Sequence, residues 1–207
     1  MRVTVDIVIF TIRDRALQVL LVKRGVPPYE GQHAIPGGFI REGESLEEAA
    51  GRELYEEAGV RKVFLEQLYT FGDPKRDPRG RVITVAYYAL IGSDKLSLVA
   101  GADAAEACWF PVSKLPTLAF DHKRILDYAL ERVRNKLKYT NVGFQLLPRK
   151  FTLSELQAVY EAILGRRLDK RNFRRKITLL GIVKPLREWQ QTGRKPAQLF
   201  RFVAESH

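Results

Sequence analysis

The chain has a single cysteine, Cys108, among its 207 residues. One thiol excludes both an intrachain disulfide framework and a zinc site built from several cysteines. No apolar run approaches the roughly 20 residues that a membrane-spanning helix needs. The first apolar run, residues 7–12, follows Asp6, includes Thr11 and lacks a small-residue cleavage site, so no signal peptide is expected. These absences favour a cytoplasmic protein with no membrane association.

The composition is that of a globular protein, with 45% hydrophobic and 29% charged residues, and it excludes wholesale disorder. Its charge is divided unevenly. Residues 1–138 contain 21 Lys and Arg against 19 Asp and Glu, a net charge of +2, whereas residues 139–207 contain 14 against 5, a net charge of +9. We therefore predict a nearly neutral domain at 1–138 and a basic domain at 139–207 that meets a polyanion. A solvated basic surface is the plainer alternative.

Apolar periodicity and turn residues predict the elements of the first domain. Ser45 and Glu48 fit a capping box for a helix that runs to about Ala58, with Gly59 as its C-cap. A second helix is predicted over residues 120–138. The expected strands cover residues 3–12, 17–22, 60–71, 81–91 and 107–110.

The basic domain has the element order of a winged helix-turn-helix. A short strand is expected at residues 142–147, followed by a helix capped by Thr152 and Glu155 and a short helix capped by Asp169. Two further strands, at residues 182–189 and 198–203, flank a polar turn. Helix, helix and hairpin in this order predict a DNA-binding domain.

Three carboxylates share one face of the first helix, because Glu53, Glu56 and Glu57 are spaced by three and four residues. Such like-charge pairs are unfavourable unless a cation joins them, and oxygen ligands suit Mg²⁺ or Mn²⁺. Arg52 can hold Glu56 one turn away. A solvent-facing acidic helix is the alternative.

The wider spacing resembles the Nudix box: Gly38, five residues, Glu44, seven residues, Arg52-Glu53-Leu54, one residue, Glu56-Glu57, one residue, Gly59-Val60. The resemblance implies an α/β/α sandwich and metal-dependent hydrolysis of a nucleoside diphosphate linked to another group. It implies metal ligation by Glu56 and Glu57, with Gly37 nearby, and a ligand or base role for Glu53. Arg52 would orient the carboxylates, and Glu44 and Gly38 would lie at the edge of the ligand site. Asp103 and Glu106 are candidates for a further acid.

A cationic loop leads into the strand at 81–91. Its arginines are Arg76, Arg79 and Arg81, the last of which begins the strand. It is similar to the loop of the ADP-ribose-recognising Nudix branch, and its guanidinium groups can reach phosphate or ribose oxygens. A solvated hairpin turn is the alternative. Tyr69, Phe71 or Tyr87 could stack on adenine, although each is also a plausible core residue.

The second helix of the basic domain concentrates five cations within seven residues. Such a helix can enter the major groove of DNA, where Arg pairs with guanine and Asn with adenine. A basic dimerisation domain is the alternative. The predicted DNA-binding residues, which include two at the tip of the hairpin, are Lys170, Arg171, Asn172, Arg174, Arg175, Arg194 and Lys195.

The whole chain resembles the Nudix-related transcriptional regulators, which place a Nudix domain before a winged helix. The resemblance rests also on residues 118–122, 151–157 and 168–175. It implies a homodimer that binds a palindromic operator and senses an ADP-ribose-like nucleotide. The complete box adds an expectation of Mg²⁺-dependent hydrolysis. Two alternatives stay open: a plain ADP-ribose pyrophosphatase with a basic dimerisation domain, and an RNA-linked Nudix enzyme. We disfavour the second because the hairpin is expected to lack an exposed aromatic platform.

Overall fold

The computed structural model describes residues 1–59, 63–92, 107–137, 141–191 and 195–203. The first domain contains every predicted strand and helix, and it adds two short strands around Pro36. In chain order its elements are β1 (Arg2–Arg13), β2 (Ala16–Lys23), β3 (His33–Ala34), β4 (Gly37–Phe39), α1 (Leu46–Ala58), β5 (Phe64–Phe71), β6 (Val82–Leu90), β7 (Ala107–Pro111) and α2 (His122–Lys136).

The strands form one mixed sheet in the order β3-β2-β1-β6-β5, with β4 also paired to β1 and β7 to β2. Strand β1 lies at the centre, antiparallel to β2 and parallel to β6. A central strand is covered on both faces, which explains why β1 is apolar along most of its length.

Alternate residues of β1 enter two separate cores. Val5, Ile7 and Ile9 pack with α1 on one face, and Val8 and Phe10 pack with α2 on the other. This alternation follows from the two-residue period of a strand. The sheet is therefore sandwiched between helices, and the predicted α/β/α architecture is confirmed.

The ends of both helices follow from local chemistry. Glu48 donates its backbone N–H to Ser45 Oγ, and Ser45 donates its own N–H to Glu48, so α1 begins with the predicted capping box. It ends at Gly59, which has a φ of 66°. Helix α2 begins at His122, two residues later than predicted, because Phe120 has a left-handed φ of 54° that a helix cannot contain.

The second domain contains a 3₁₀ helix (Val142–Leu146), β8 (Phe151–Thr152), α3 (Leu153–Leu164), α4 (Lys170–Leu179), β9 (Val183–Gln191) and β10 (Pro196–Phe202). Its sheet has the order β8-β10-β9. Helices α3 and α4 followed by the β9–β10 hairpin confirm the predicted winged helix-turn-helix. Both predicted helix caps are present, at Thr152 and at Asp169.

The strand expected at residues 142–147 is wrong, because this segment serves two cores. Val142 and Leu146 enter the core shared with the first domain, whereas Phe144 enters the core of the winged helix. An extended segment would point all three side chains to one side. The tighter turns of a 3₁₀ helix distribute them between the two cores.

The two domains meet through packed side chains. Val159 and Ile163 of α3 belong to the same apolar cluster as Val133 and Leu137 of the first domain. Arg134 Nε on α2 donates a 2.9 Å hydrogen bond to the Ile163 carbonyl, near the C-terminal end of α3. The predicted boundary near residue 138 lies outside the described residues and stays a prediction. Within the described ranges, no helix has the length and apolarity needed to cross a membrane.

Candidate functional site

A cavity of about 270 Å³ lies between the edge of the Nudix-like sheet and the start of α2. Its wall combines arginines, carboxylates, aromatic rings and glycine backbone contributed by well-separated segments. The residues that line it are Thr4, Asp6, Val22, Arg24, Gly25, Val26, Ala34, Ile35, Gly37, Gly38, Phe39, Arg76, Asp77, Arg79, Val82, Phe120 and His122.

Arg52 organises the carboxylates beside this cavity. Its Nε and Nη2 donate to the two oxygens of Glu44 at 2.7 and 3.0 Å. Its Nη1 donates to Glu53 at 2.6 Å and to Glu56 at 3.2 Å. One guanidinium group thus orients three carboxylates, two more than the single partner expected from helical spacing.

The carboxylates differ in their electrostatic surroundings. Hydrogen bonds from Arg52 and from the backbone N–H of Arg41 lower the pKa of Glu44 to about 2. Burial raises the pKa of Glu53, which is 7% exposed. Burial, with the neighbouring Glu53 and Glu56 charges, also raises the pKa of Glu57. A cation next to Glu53 and Glu57 would therefore stabilise their ionised forms.

The carboxylate oxygens on α1 suit a divalent cation that keeps some coordination positions free for water or phosphate. Glu57 Oε2 is buried and has no hydrogen-bond partner among the described residues. Those residues contain no group of three Asp, Glu, His or Cys side chains already gathered around one point, because Arg52 engages Glu53 and Glu56. Mg²⁺ takes only one or two carboxylates and completes its shell with water and phosphate oxygens, so this arrangement suits it.

Two glycines bring backbone close to these carboxylates and to the cavity. A Cβ at Gly37 would clash with the Val5 carbonyl oxygen, which is a backbone atom, so glycine is required there. A Cβ at Gly38 would meet the carboxylate of Glu53, so a side chain at this position would displace that carboxylate. Gly37 and Gly38 also line the cavity, and they therefore connect it to the carboxylate helix.

The three arginines predicted to bind ligand are divided by the fold. Arg76 lines the cavity and is held by Asp121 at 2.8 Å and Asp6 at 3.3 Å. Arg79 also lines it and forms a two-point pair with Asp77. Arg81 is not among the lining residues, because its Nη1 donates to the Gly72 carbonyl on the exposed side of the loop.

The aromatic residues proposed to stack on adenine do not line this cavity, and their stacking role stays a prediction. Tyr69 and Phe71 pack against Tyr128 on the distant β5 side of the sheet. Tyr87 is buried beneath α1 and donates its hydroxyl to Glu47. The rings that line the cavity belong to Phe39 and Phe120.

Sequence reasoning missed Phe39, Phe120, Arg24, Asp6 and His122 as members of this wall. Asp6 carried a usable signal, since one carboxylate inside a buried apolar strand requires a cationic partner. Phe120 and His122 lie in the segment 118–122 that contributes to the family resemblance, but Arg24 and Phe39 carry no such signal, because the segments that meet at the cavity are far apart in the sequence.

Helix α4 presents a cationic surface. Phe173 and Ile177 are buried in the core of the winged helix. The predicted DNA-binding residues of this helix are exposed, and none of its cations forms an ion pair with a carboxylate of the described residues. They are Lys170, Arg171, Asn172, Arg174 and Arg175.

The structure describes only part of the hairpin and neither candidate for the further acid. Lys195 is exposed at the hairpin, whereas Arg194, Asp103 and Glu106 lie outside the described residues. Trp189 on β9 is 62% exposed. The hairpin therefore exposes an aromatic ring, and the expectation that it lacks an aromatic platform for single strands stays a prediction.

Comparison with known proteins covers both domains. A Nudix domain model matches residues 1–129, and a model described as the NrtR DNA-binding winged helix domain matches residues 143–202. The chain is 38% identical, over 99% of its length and 83% of the relative, to a protein of Acinetobacter baylyi named ADPR responsive transcriptional repressor.

Two solved structures from Shewanella oneidensis are similar to the chain. NrtR in complex with a 27mer DNA has a TM-score of 0.86 and 36% identity, covering 97% of this chain and 93% of that one. The NUDIX domain of NrtR in complex with ADP ribose has a TM-score of 0.58 and 39% identity, covering 64% of this chain and 88% of that one.

The low pKa of Glu44 makes a prediction about pH. We expect its carboxylate to remain ionised at pH 3.5, and the Arg52→Gln variant to return its pKa toward about 4.3, the ordinary value for Glu. Because the folded-state pKa is depressed, the Arg52 hydrogen bonds stabilise the folded state fully above about pH 4.3, and this contribution is lost as the pH falls toward 2. A ¹³C NMR titration of the Glu44 side chain measures this. Titration of the wild-type group near pH 4.3 would contradict it.

Proposed function

The chain belongs to the Nudix-related transcriptional regulators that carry an NrtR-type winged helix, and on that premise we propose that it is a DNA-binding repressor that responds to ADP-ribose. The observation that carries the proposal is the link that α3 makes between two features. Val159 and Ile163 of α3 lie in the core of the domain that contains the arginine-lined cavity. Leu156 of α3 lies in the core of the winged helix with Phe173 and Ile177 of α4, whose cations have no ion-pair partner among the described residues. The Acinetobacter relative is named for the same response, and the Shewanella structures contain DNA and ADP ribose.

Helix α4 is proposed to enter the major groove. Arg171, Arg174 and Arg175 are suited to guanine edges and Asn172 to adenine. Lys195 and Arg194 at the hairpin are suited to phosphate oxygens. The net charge of +9 over residues 139–207 supports this assignment, because neutralisation of the DNA backbone supplies much of the affinity of such domains.

The cavity is proposed to bind ADP-ribose, with Arg79 facing the ligand and Arg76 fixing the wall through Asp6 and Asp121. Asp121 is the N-cap residue of α2, and Arg134 near the other end of that helix contacts α3. Ligand binding can therefore act on the winged helix through α2. It changes the affinity for DNA only if the ligand favours one arrangement of the two domains over another.

A homodimer on a palindromic operator is part of the proposal. Symmetric dimers bind two half-sites about one helical turn apart, and the chain presents one recognition helix per copy. A cytoplasmic location is proposed on the same grounds, since a repressor must reach the chromosome.

The DNA-binding proposal is tested by substituting one exposed cation on α4. We expect Arg174→Ala to weaken binding at least tenfold and to relax the base preference at the position that it contacts, because one contact to a guanine edge is lost. Fluorescence anisotropy with a genomic duplex selected by the wild-type protein, and with single-base variants of that duplex, measures both quantities. Arg13→Ala, an exposed change on the hairpin between β1 and β2, serves as the control and should bind normally. Failure of the wild-type protein to bind any genomic fragment at low salt would contradict the proposal.

Retained hydrolysis of ADP-ribose with Mg²⁺ or Mn²⁺ is a second candidate function, favoured by the unpartnered Glu57 oxygen and the steric match of Gly38 to Glu53. Glu56 and Glu57 would hold the metal, which would supply charge neutralisation and activation of the attacking water. Arg52 positions the Glu53 and Glu56 carboxylates by charge-assisted hydrogen bonds. Glu53, whose pKa is raised by burial, would be the group that accepts a proton from that water.

Release of AMP from ADP-ribose in the presence of Mg²⁺ tests this second function. We expect Glu57→Gln to lower the rate at least about 100-fold, the scale of losing a metal ligand or catalytic carboxylate, while DNA binding is retained. Glu42→Gln, an exposed change in the loop before α1, is the matched control and should leave the rate unchanged. Absence of metal-dependent release by the wild-type protein would restrict the domain to sensing.

A further inference from the structure

Arginines and phenylalanines alternate in a row that includes Arg24, Phe120, Arg79 and Phe39 of the cavity wall, and Arg2 extends the row beyond the lining residues. The Arg2 guanidinium lies 4.9 Å from the centre of the Phe39 ring, and Arg79 lies 5.6 Å from the same ring. Arg79 also lies 5.3 Å from the Phe120 ring, and Arg24 lies 4.8 Å from it. This cation–aromatic ladder, defined as Arg2, Phe39, Arg79, Phe120 and Arg24, unites five separate segments of the chain.

Arg24 differs from the other cavity arginines in its charge balance. Arg76 is paired with Asp6 and Asp121, and Arg79 is paired with Asp77. Arg24 instead donates to the backbone carbonyls of Pro28 and Val26, and it has no ion pair within the described residues. Burial and the nearby Arg79 charge lower its pKa, and the charge of Asp77 opposes this shift only in part.

Phe120 is held in a costly conformation beside Arg24. Its φ of 54° is unusual for an aromatic residue, and such strain persists only where the surrounding structure enforces it. The Tyr29 ring packs edge-on against it at 4.8 Å between centroids, and His122 lies on its other flank at 5.2 Å. The ring is therefore fixed in place, and it fixes the guanidinium groups that lie over it.

The same wall contains an unsatisfied hydroxyl. Thr4 is 7% exposed and lines the cavity, and its Oγ1 is buried with no hydrogen-bond partner among the described residues. A buried polar atom without a partner is destabilising unless a ligand or water completes its hydrogen bonds. This oxygen lies beneath the surface of the cavity, where an occupant cannot contact it directly.

We propose that Arg24 is the diphosphate anchor of this cavity and that Phe120 is a positioning residue that holds Arg24 and Arg79 toward the ligand. The inference rests on the proposed binding of ADP-ribose and identifies which cation discriminates a nucleoside diphosphate from an uncharged nucleoside. An unpaired guanidinium suits phosphate oxygens because it offers several donors in one plane. Arg76 and Arg79 are already neutralised by carboxylates and add less net attraction for an anion.

Isothermal titration calorimetry on the full-length protein tests the assignment. The ligands are the α,β-methylene analogue of ADP-ribose, which resists hydrolysis, and adenosine, which has no charge; both are titrated with Mg²⁺ present. We expect Arg24→Gln to weaken binding of the analogue about tenfold or more, the scale of one charged hydrogen bond, and to leave adenosine binding unchanged. Arg81→Gln, which removes an arginine that does not line the cavity, is the matched control and should bind both ligands as the wild type does.

Phe120 provides an independent arm of the test. Phe120→Leu should weaken analogue binding, and Phe120→Tyr should restore it because a tyrosine ring can hold the same cations. If the wild-type protein binds no analogue, the proposed function itself fails. If the wild type binds it and Arg24→Gln binds it within twofold, the proposed function stands and the assignment of Arg24 is overturned. Equal weakening of adenosine and the analogue by Arg24→Gln would also overturn it, since it would indicate a general loss of the wall.

Discussion

The packing of α3 against the α2 side of the Nudix sheet is the constraint on which the rest of the molecule depends. Val159 and Ile163 are buried in the core that also contains Val133 of α2, and Arg134 binds the Ile163 carbonyl. Closely packed cores transmit displacements because they cannot deform continuously. An event at the cavity therefore has a contiguous path to the winged helix.

Charge is arranged in opposite ways at the two functional surfaces. Around α1 and the cavity, arginines and carboxylates are interleaved, with Arg52 serving three glutamates and Arg76 serving two aspartates. On α4 the cations have no ion-pair partners among the described residues. The first arrangement holds side chains in fixed positions for a small ligand, whereas the second leaves charge free for a polyanion. The division of net charge along the chain reflects this difference.

Local sequence signals predicted local structure well. The capping boxes at Ser45 and Thr152 and the spacing of the carboxylates on α1 depend on neighbours within one or two turns, and the structure contains them. The cavity could not be predicted in the same way, because Arg24, Phe39 and Phe120 meet only when the sheet has formed. The strand predicted at residues 142–147 was wrong for a related reason. The side chains of this segment are divided between two cores, and the pattern of apolar residues within one segment does not show such a division.

The central claim is that one chain binds ADP-ribose and DNA as coupled events, and linkage tests it directly. The affinity for DNA is measured with and without saturating ADP-ribose analogue, and the affinity for the analogue with and without saturating DNA. Thermodynamic reciprocity requires the two ratios of dissociation constants to be equal. The account predicts equal ratios that differ from one by about fivefold or more, the usual scale of such coupling. Ratios of one, with both ligands bound, would contradict it.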